Sequence, residues 1–390
     1  MLSAGTYLRK NFSRNFSLAR ELVKLGARVT LVMCSRHMRF EKHELDGVHV
    51  VCMPEVISAR LRGGGLGVMD TVSRLIYLLP KKFDIVHTDI GFRPAAGWVG
   101  HLYARLRGVP RVSEWWDWIG FGGLLDGRSR LYQCTLGASD HFFEVYDKKI
   151  ADGVVAISHC LHDRALEAGI PAERVTIIRG GAEVWTTDYL SVDAVRARFG
   201  VDPKAFIVGF VGMGPFEHRD LCPFLEAGAA LRDRIPNFKW FSTGDALPQP
   251  VRERYQVGDE YEDFGWVDFN EFGPRLAIAD VFILLLRESL ASRARWPNKL
   301  GDYLAAGRPV VATAVGEVGR FMAEYPGGFC PVSWQAEEVA DALTMLAHDR
   351  SRCEQMGRGN LETAVREVSW GAKATQLYEF YHKIKRLSGK

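Results

Sequence analysis

The amino-acid sequence predicts an α/β protein built from two doubly wound parallel-sheet domains. Short runs rich in Val, Ile and Leu alternate with helical segments along most of the chain, and this alternation is typical of parallel sheets covered by helices. Glycine turns follow several of the strand-like runs. The 390 residues also exceed what one hydrophobic core usually covers. We therefore expect two domains.

The composition excludes several classes of function. Hydrophobic residues make up 47% of the chain and charged residues 25%, as in an ordinary globular protein. The formal net charge of +3 is too small to indicate a nucleic-acid partner. Seven scattered cysteines without a Cys-x-x-Cys pair predict reduced thiols and a cytoplasmic location. No apolar run is long enough to cross a bilayer, so any membrane contact is expected to be peripheral, on the inner face.

The first half of the chain predicts a series of strand–helix units. Residues 1–5 form the end of a strand that enters a glycine turn at Gly5, and a helix follows at residues 13–25. An apolar segment at residues 66–80 ends at two lysines. We expect it to pack against the sheet as a helix with a solvated charged rim, and contact with anionic lipid is the alternative.

A strand-like run at residues 109–114 ends in an aromatic cluster, WWDWIGF. The carboxyl ends of parallel strands are where α/β proteins bind ligands. Tryptophan rings stack on sugar C–H faces, and a carboxylate accepts hydrogen bonds from hydroxyls, so Glu114 and Asp117 are candidates for contact with a sugar. A wedge of aromatic side chains that only fills space between the domains is the alternative.

The second half follows an interdomain linker that we place at residues 188–203. A strand-like run leads into a glycine loop and then a helix. Turns of this kind point backbone N–H groups at an anion, and the helix dipole adds to their effect. Gly212 at the end of the strand and Gly214 in the loop, with His218 and Arg219 behind them, are therefore a candidate phosphate site.

A short helix is predicted directly after Pro297. Lys299 and Asp302 are three residues apart and project from one face near its N-terminus, where unpaired N–H groups favour an anion. A diphosphate fits the cation and a ribose diol fits the carboxylate. Gly301 lets another group approach the helix closely. Arg295 either adds phosphate charge or is solvated surface, and the whole segment has an alternative as a capped surface helix with a weak ion pair.

This segment also carries a resemblance to a known family. WPNKLGDYLAAGRPVVAT, residues 296–313, resembles the Pro-x-Lys-Leu-x-Glu-Tyr-x-Ala-x-Gly-x-Pro-Val-Val signature of family 4, or group 1, glycosyltransferases, which have the GT-B fold. VVAISHCLHDRALEAGIPAERVTIIRGGAE, residues 154–183, is similar to another stretch of that family. The resemblance spans nearly the whole chain.

The resemblance implies roles for single residues. Asp302 stands where the family holds the donor ribose, and Lys299 beside the donor phosphates. Three positions depart from the family pattern: Met213 replaces an arginine, Ala294 replaces the first of two glutamates, and Gly180 replaces an asparagine. His218 and Arg219, named above, then become the candidates for the missing phosphate cation.

The resemblance also implies the arrangement of the chain. We expect an acceptor-side Rossmann-like domain at residues 1–187, a donor-binding domain at 204–368, a central cleft between them, and a C-terminal helix, 369–390, that returns to the first domain. Family members begin with a full first strand. We therefore expect upstream residues of that strand to be missing.

The implied function is that of a retaining glycosyltransferase, which moves a sugar from a nucleotide-diphosphate sugar to a glycan, glycolipid or small-molecule acceptor, as in polysaccharide biosynthesis. No Asp-x-Asp motif follows a strand, so we expect no metal and no other cofactor. The predicted catalytic residues are Glu114, Asp117 and Lys299. The predicted donor-binding residues are Gly5, Gly212, Gly214, His218, Arg219, Arg295, Asn298, Lys299, Leu300 and Asp302. A GT-B nucleotide-sugar epimerase and a degenerate sugar-nucleotide-binding subunit remain alternatives.

Overall fold

The structure is a computed structural model that describes residues 1–6, 13–57, 64–185, 192–214 and 217–390, with only the backbone described at 6, 192–193 and 217–218. The chain forms two compact units. Unit 1 comprises Met1–Gly180, Ser289–Trp296 and Trp370–Lys390, and unit 2 comprises Gly181–Glu288 and Pro297–Ser369. The division falls at Gly180, ahead of the predicted linker.

The strands and helices follow one another along the chain as the sequence pattern predicts. The strands are β1 Leu2–Thr6, β2 Thr30–Cys34, β3 Glu41–Leu45, β4 Val48–Met53, β5 Val86–Thr88, β6 Arg111–Trp115, β7 Gly153–Ala156, β8 Val175–Ile177, β9 Phe206–Met213, β10 Phe238–Gly244, β11 Tyr261–Asp263, β12 Val281–Leu284, β13 Val310–Thr313 and β14 Phe329–Val332. The helices are α1 Arg14–Lys24, α2 Val68–Leu78, α3 Val99–Arg107, α4 Arg130–Tyr132, α5 Ala138–Lys149, α6 His159–Glu167, α7 Val192–Arg198, α8 Cys222–Glu226, α9 Gly228–Arg234, α10 Gln249–Arg254, α11 Phe269–Leu276, α12 Leu290–Ala294, α13 Asn298–Ala305, α14 Gly316–Glu324, α15 Ala336–His348, α16 Arg350–Thr363 and α17 Trp370–Ser388.

Unit 1 is built on a doubly wound sheet. Its described strands lie in the order β3-β4-β2-β1-β5-β6-β7-β8, and every pair is parallel except β3 with β4. The short β1 lies between β2 and β5, so it occupies the centre of the sheet. Gly5 lies inside β1, and the residues of the predicted glycine turn beyond it lie outside the described residues.

The C-terminal helix α17 belongs to unit 1. Leu377 and Phe380 on its inner face join a hydrophobic core with Leu18 and Leu22 of α1. Ser13 caps α1, because its side chain accepts a hydrogen bond from the Phe16 N–H. The return of α17 thus completes the helical layer on this side of the sheet.

Unit 2 has an entirely parallel sheet among its described strands, in the order β11-β10-β9-β12-β13-β14. Its core is conventional: apolar side chains of β9, β10 and β12 pack against α8, α9, α15 and α16. Helix α7 lies within the predicted linker and is part of this unit. Two parallel-sheet α/β units therefore confirm the predicted fold class.

The expectation for the apolar segment at residues 66–80 is wrong in one respect. Helix α2 forms there, but its buried side chains include the ion pair Asp70–Arg74, while Val72 and Ile76 face solvent. The charged residues face inward because Arg74 also donates to the carbonyl of Ser3 in β1, at 2.7 Å. No helix in the described ranges combines the length and the hydropathy that crossing a bilayer requires.

Candidate active site

In unit 1 the predicted acid Glu114 lies at the end of β6 and is buried. The Nε atom of Arg14 donates to its two oxygens at 3.1 and 3.2 Å, and the indole of Trp116 donates to it as well. The Nε2 atom of His87 lies 3.5 Å from the carboxylate. Arg14 is itself fixed by the carbonyl of Ile178, at 3.0 Å.

This network decides the charge of Glu114. Burial alone would raise its pKa, but the positive charge of Arg14, together with His87 and the Trp116 hydrogen bond, lowers the pKa to about 2. Glu114 is therefore ionised throughout the physiological pH range. It can accept hydrogen bonds or stabilise positive charge, and it is too weak a base to take a proton.

Asp117, the second predicted acid, has a different environment. Within the described part of the chain it makes no hydrogen bond, and it lines a pocket. Burial raises the pKa of Asp117, the charge of Arg295 opposes this shift, and Glu144 adds to it. Arg295, a predicted donor-binding residue, therefore lies close to Asp117, a predicted catalytic residue, within unit 1.

The pocket at the end of β6 encloses about 200 Å³. This is smaller than the roughly 300–1,000 Å³ of sites for drug-sized ligands, and it suits one small polar group such as a single sugar ring. Its aromatic walls are Phe92, Trp115, Trp116 and Tyr132, its acids are Asp89, Glu114, Asp117, Asp140 and Glu144, and its bases are Arg93, Arg128 and Lys148.

Several of these pocket residues escaped sequence reasoning. Glu144 accepts hydrogen bonds from the indole of Trp115 at 2.7 Å and from Arg164 at 3.0 Å. Asp140 accepts from Arg93 at 3.1 Å and from the hydroxyl of Tyr132 at 2.6 Å. These side chains lie in helices far along the chain from β6. Nothing in the local sequence marks them.

In unit 2 the predicted helix forms as α13, and four predicted donor-site residues lie on it. Asn298 is exposed at its first position, and Leu300 is fully buried. The ammonium of Lys299 lies 4.0 Å from the ring centroid of Phe210 in β9. The neighbouring hydroxyl of Tyr303 accepts the backbone N–H of Val211, at 3.0 Å. These two contacts attach α13 to the carboxyl half of β9.

Asp302 on this helix is held in a low-dielectric environment. Burial raises the pKa of its carboxyl to about 7, and the positive charge of Lys299 only partly opposes that shift. An ion pair of full strength would have lowered the pKa instead. Near neutral pH the carboxyl of Asp302 can accordingly either donate or accept a hydrogen bond.

Gly301 permits a close contact, as the sequence predicts. A Cβ atom there would lie 3.0 Å from the Cβ of Ala182 and 3.2 Å from the carbonyl oxygen of Gly181. Ala182 is in turn held by a hydrogen bond from its N–H to Val368, at 2.8 Å. The group that approaches the helix is therefore the protein's own backbone.

The glycine loop after β9 also belongs to unit 2. Gly212, just before it, lies inside β9, has a φ of +68°, and donates its N–H to the hydroxyl of Thr243 at 3.1 Å. Gly214 follows the strand and is half-buried. Arg219 is exposed in the 3-10 turn Glu217–Leu221. The side chain of His218 lies outside the described residues.

An aromatic side chain that the sequence analysis did not select lies at the same edge of the sheet. Trp266 follows β11, is 82% exposed, and donates its indole N–H to Asp245 at 3.1 Å. The backbone N–H of Asp245 donates to Met213 at the end of β9, at 2.7 Å. An exposed indole held in this way offers a flat surface to a planar ligand. The sequence feature that could have identified Trp266 is its position directly after a strand-like run and a glycine.

Comparison with known proteins identifies the family. Residues 14–181 match the family model of the glycosyl transferase 4-like domain, and residues 205–349 match that of the glycosyl transferases group 1. The chain belongs to the group 1 glycosyltransferases. A stretch of 77 residues, 20% of the chain, is 40% identical to the D-inositol 3-phosphate glycosyltransferase of Corynebacterium aurimucosum, and it covers 18% of that protein's length.

Solved structures show that this group 1 glycosyltransferase has the GT-B fold. Sucrose-phosphate synthase from Thermosynechococcus elongatus gives a TM-score of 0.71 at 17% identity, over 95% of this chain and 92% of that one. Anabaena HepE, solved with UDP and glucose, gives 0.66 at 15% identity over 100% of both chains. A glycosyltransferase from Rickettsia africae gives 0.66 at 15% identity, over 98% and 97%.

Two of the three departures from the group 1 glycosyltransferase pattern, Ala294 and Met213, occupy buried positions. Ala294 in unit 1 is fully buried, and its carbonyl accepts the hydroxyl of Ser158 at 2.5 Å. Met213 in unit 2 is also buried. A glutamate or an arginine at these two places would have to bury an unpaired charge.

One group of side chains among the described residues has the spacing of a metal site. Glu41, His43 and Cys52 each place a ligand atom within 4.8 Å of the others, on β3 and β4. Arg39 already donates to Glu41 at 2.8 Å, and burial raises the pKa of the Cys52 thiol to about 12. A thiol that keeps its proton is a poor metal ligand, so we assign no metal here.

Proposed function

We propose that this chain transfers a glycosyl group from a nucleotide-diphosphate sugar to an acceptor hydroxyl, with retention at the anomeric carbon and without a metal. The observation that carries the proposal is the position of Lys299 and Asp302 beside the carboxyl half of β9 in unit 2. It provides a cation, a carboxyl and a helix N-terminus at one place. Those are the groups that a ribose diphosphate requires.

The donor would lie along the carboxyl edge of the unit 2 sheet. Its diphosphate would contact the N-terminus of α13 and Lys299, with Arg219 as a further source of positive charge. Its ribose hydroxyls would bond Asp302. The nucleobase would stack on Trp266, because an exposed indole fits any base face. The UDP in the HepE structure makes UDP the first nucleotide to test.

The acceptor would occupy the pocket of unit 1. There the ionised Glu114 would stabilise positive charge on the sugar as the leaving group departs, in the way that carboxylates do in glycoside chemistry. Asp117, with its raised pKa, would accept the hydrogen bond of the attacking hydroxyl. The arrangement supports a sugar ring or a similar polyol at the attacking end of the acceptor, whether free, in a glycan or on a lipid.

A thermal-shift screen with UDP, GDP, ADP, CMP and dTDP tests the donor assignment. A ligand at a hundred times its Kd stabilises the folded state by about 2.7 kcal/mol. We expect one nucleotide to raise the Tm of the wild type and of Asp341→Ala, which removes an exposed carboxylate of unit 2. Asp302→Ala should lose that shift. No response to any nucleotide, or an equal response in Asp302→Ala, would overturn the donor site.

The chemical step is tested with the nucleotide sugar selected by that screen and a set of sugar acceptors. We expect release of the nucleoside diphosphate to depend on the acceptor, and NMR of the product to show the donor's own anomeric configuration. Glu114→Gln and Asp117→Asn should both lower kcat by at least about tenfold. Donor epimerisation without an acceptor, or an inverted product, contradicts the proposal.

A further inference from the structure

Two helices of unit 1 are inverted with respect to ordinary surface helices. A helix on a sheet normally buries its apolar stripe and exposes its charges. Helix α2 buries Asp70 and Arg74, which are fully shielded and joined at 2.6 Å. Its exposed residues are Val68, Met69, Val72 and Ile76, one helical turn apart, and Ile76 is 67% exposed. The charged side chains of α2 therefore pair with each other inside the fold, and the solvent-facing side of the helix is apolar.

Helix α5 shows the same inversion. Its buried residues are Asp140, Glu144, Asp147 and Lys148. Lys148 donates to Asp147 at 2.9 Å, and Arg111 in β6 donates to Asp147 at 2.6 Å. On the outer side Phe142 is 58% exposed and stacks on the exposed Tyr146, with ring centroids 5.6 Å apart. The charged side of this helix again points into the fold.

Helix α3 joins these two surfaces into one. Leu102 and Leu106, exposed and one turn apart, continue the line of the exposed Trp98, and Leu106 is 61% exposed. The ring of Trp98 lies 5.9 Å from that of Phe143 in α5. At the other end, Arg107 of α3 donates to the carbonyl of Leu79, directly after α2. We call the exposed apolar residues of α2, α3 and α5 the apolar face.

The charges that border the apolar face are mostly basic. Lys82 and Arg105 are exposed beside the C-terminal ends of α2 and α3, where Tyr103 holds the loop by donating to Lys81 at 2.8 Å. Among residues 64–110, all of which are described, Asp84 is the single exposed acid, and it already pairs with Lys385 at 3.1 Å. Arg107 is also exposed, and among residues 124–149 the exposed charges are three bases, Arg128, Arg130 and Lys149, and one acid, Asp126.

We propose that the apolar face docks unit 1 onto the surface of an anionic lipid bilayer. Exposed apolar patches of this kind mark interaction sites. Aliphatic and aromatic side chains at helical spacing, with tryptophan and tyrosine among them and a basic border, are the features of helices that lie in the headgroup region. A partner protein with a matching face would need acidic groups for the same border, and the bilayer supplies them without a specific contact.

The inference does not depend on the proposed function, because lipid binding needs neither donor nor acceptor. The full chain is mixed with vesicles of phosphatidylcholine alone, or with about one quarter phosphatidylglycerol, and centrifuged. We expect the wild type to sediment with the anionic vesicles and to be released by high salt. The double variant Ile76→Glu/Leu106→Glu should lose at least about tenfold in partition coefficient, because two charges must enter the apolar region.

A matched control is Val365→Glu, which places the same charge on a 54% exposed apolar residue of unit 2. It should bind as the wild type does. The melting temperature of each variant confirms folding. Lys82→Glu/Arg105→Glu reverses two charges of the border without touching the apolar residues, and we expect at least about a tenfold loss for anionic vesicles.

Three results would overturn the proposal. These are equal sedimentation with and without anionic lipid, equal loss in Val365→Glu, and unchanged binding in Lys82→Glu/Arg105→Glu. Size-exclusion chromatography tests the competing occupant of the apolar face, which is a second copy of this chain. If the wild type forms a dimer that Ile76→Glu/Leu106→Glu makes monomeric, and neither binds vesicles, then the apolar face binds a second copy of this chain and the bilayer is excluded.

Discussion

The two units each present a carboxyl group at the edge of a parallel sheet, and their environments are opposite. Glu114 in unit 1 is enclosed by Arg14, His87 and Trp116, and these partners lower its pKa to about 2 although burial opposes them. Asp302 in unit 2 has burial as its dominant influence, so its pKa rises to about 7. One carboxylate is already satisfied by its own protein. The carboxyl of Asp302 is not compensated in this way, so a ligand can supply the hydrogen bonds that it lacks.

The surfaces of the units differ in a parallel way. Unit 2 has a conventional core of apolar side chains between sheet and helices. Unit 1 buries ion pairs under α2 and α5 and exposes apolar side chains outside. Unit 2 buries a charged side chain too, because Arg196 pairs with Asp280 at 2.7 Å. The two units therefore differ in the outward-facing apolar side chains of α2 and α5, and not in the presence of buried charge.

Removal of Arg14, the main partner of Glu114, should have the largest effect on the stability of the protein. Arg14→Ala leaves the buried carboxylate with Trp116 and His87 but without its arginine, so we expect it to lower the free energy of unfolding by about 3–5 kcal/mol. Chemical denaturation measures this. Lys24→Ala on the same helix removes an exposed pair with Glu21 and should change stability by less than about 1 kcal/mol. Equal effects of the two changes would mean that Glu114 is not held by Arg14.

Trp266→Ala should weaken nucleotide binding by about tenfold, because stacking on an aromatic ring contributes about 1–3 kcal/mol per base. Calorimetric titration with the nucleotide selected above measures the loss. Pyrophosphate is the control, since it has no base and should bind the variant and the wild type equally. The Tm should not change, because the indole is exposed. A loss for both ligands would place Trp266 near the phosphates instead.

A smaller effect concerns pH and Asp302. Its folded pKa of about 7 lies well above the ordinary value of an aspartate, so its contribution to stability is complete below about pH 4 and is lost as the pH rises through 7. Asp302→Asn cannot ionise. We expect its stability relative to the wild type to increase by about 1 kcal/mol or more between about pH 5 and about pH 8, measured by urea unfolding.

The control for this experiment is Asp341→Asn, in which an exposed acid of unit 2 is neutralised. Its stability difference from the wild type should be nearly the same at both pH values. If Asp302→Asn behaves in that way too, the carboxyl of Asp302 ionises normally and the contrast with Glu114 disappears.

The smallest expected effect is that of metal removal. If Lys299, Arg219 and the N-terminus of α13 meet the diphosphate charge, then a chelator should leave nucleotide affinity and turnover unchanged. A loss that Mg²⁺ restores would show that a metal shares this role. A cation bound to unit 2 would then neutralise part of the diphosphate charge.

Local patterns predicted much of this molecule. Helix α13 begins directly after Pro297 and ends before Gly307, which has a φ of +64° that favours glycine. The spacing of Lys299 and Asp302 puts both on one helix, and the close approach at Gly301 was also foreseen. These features depend on residues a few positions apart, so the sequence displays them.

The partners of Glu114 could not be predicted in that way. Arg14 is separated from it by 100 residues, and its helix gives no sign that one arginine turns inward. The same holds for Glu144 and Asp140 in the pocket, and for Trp266 with Asp245. Such pairs form because the sheet brings strand ends together, and only the folded chain shows which side chains then meet.

By itself the sequence determined the alternation of strands and helices, the glycine and proline positions that end them, and the family signature, because each depends on short-range periodicity and backbone geometry. Tertiary structure alone decided which face of α2 and α5 turns inward and how ionised Glu114 and Asp302 are. Periodicity shows that a helix has two different faces, but burial and long-range charge pairs choose between them. The same two influences fix each carboxyl's pKa.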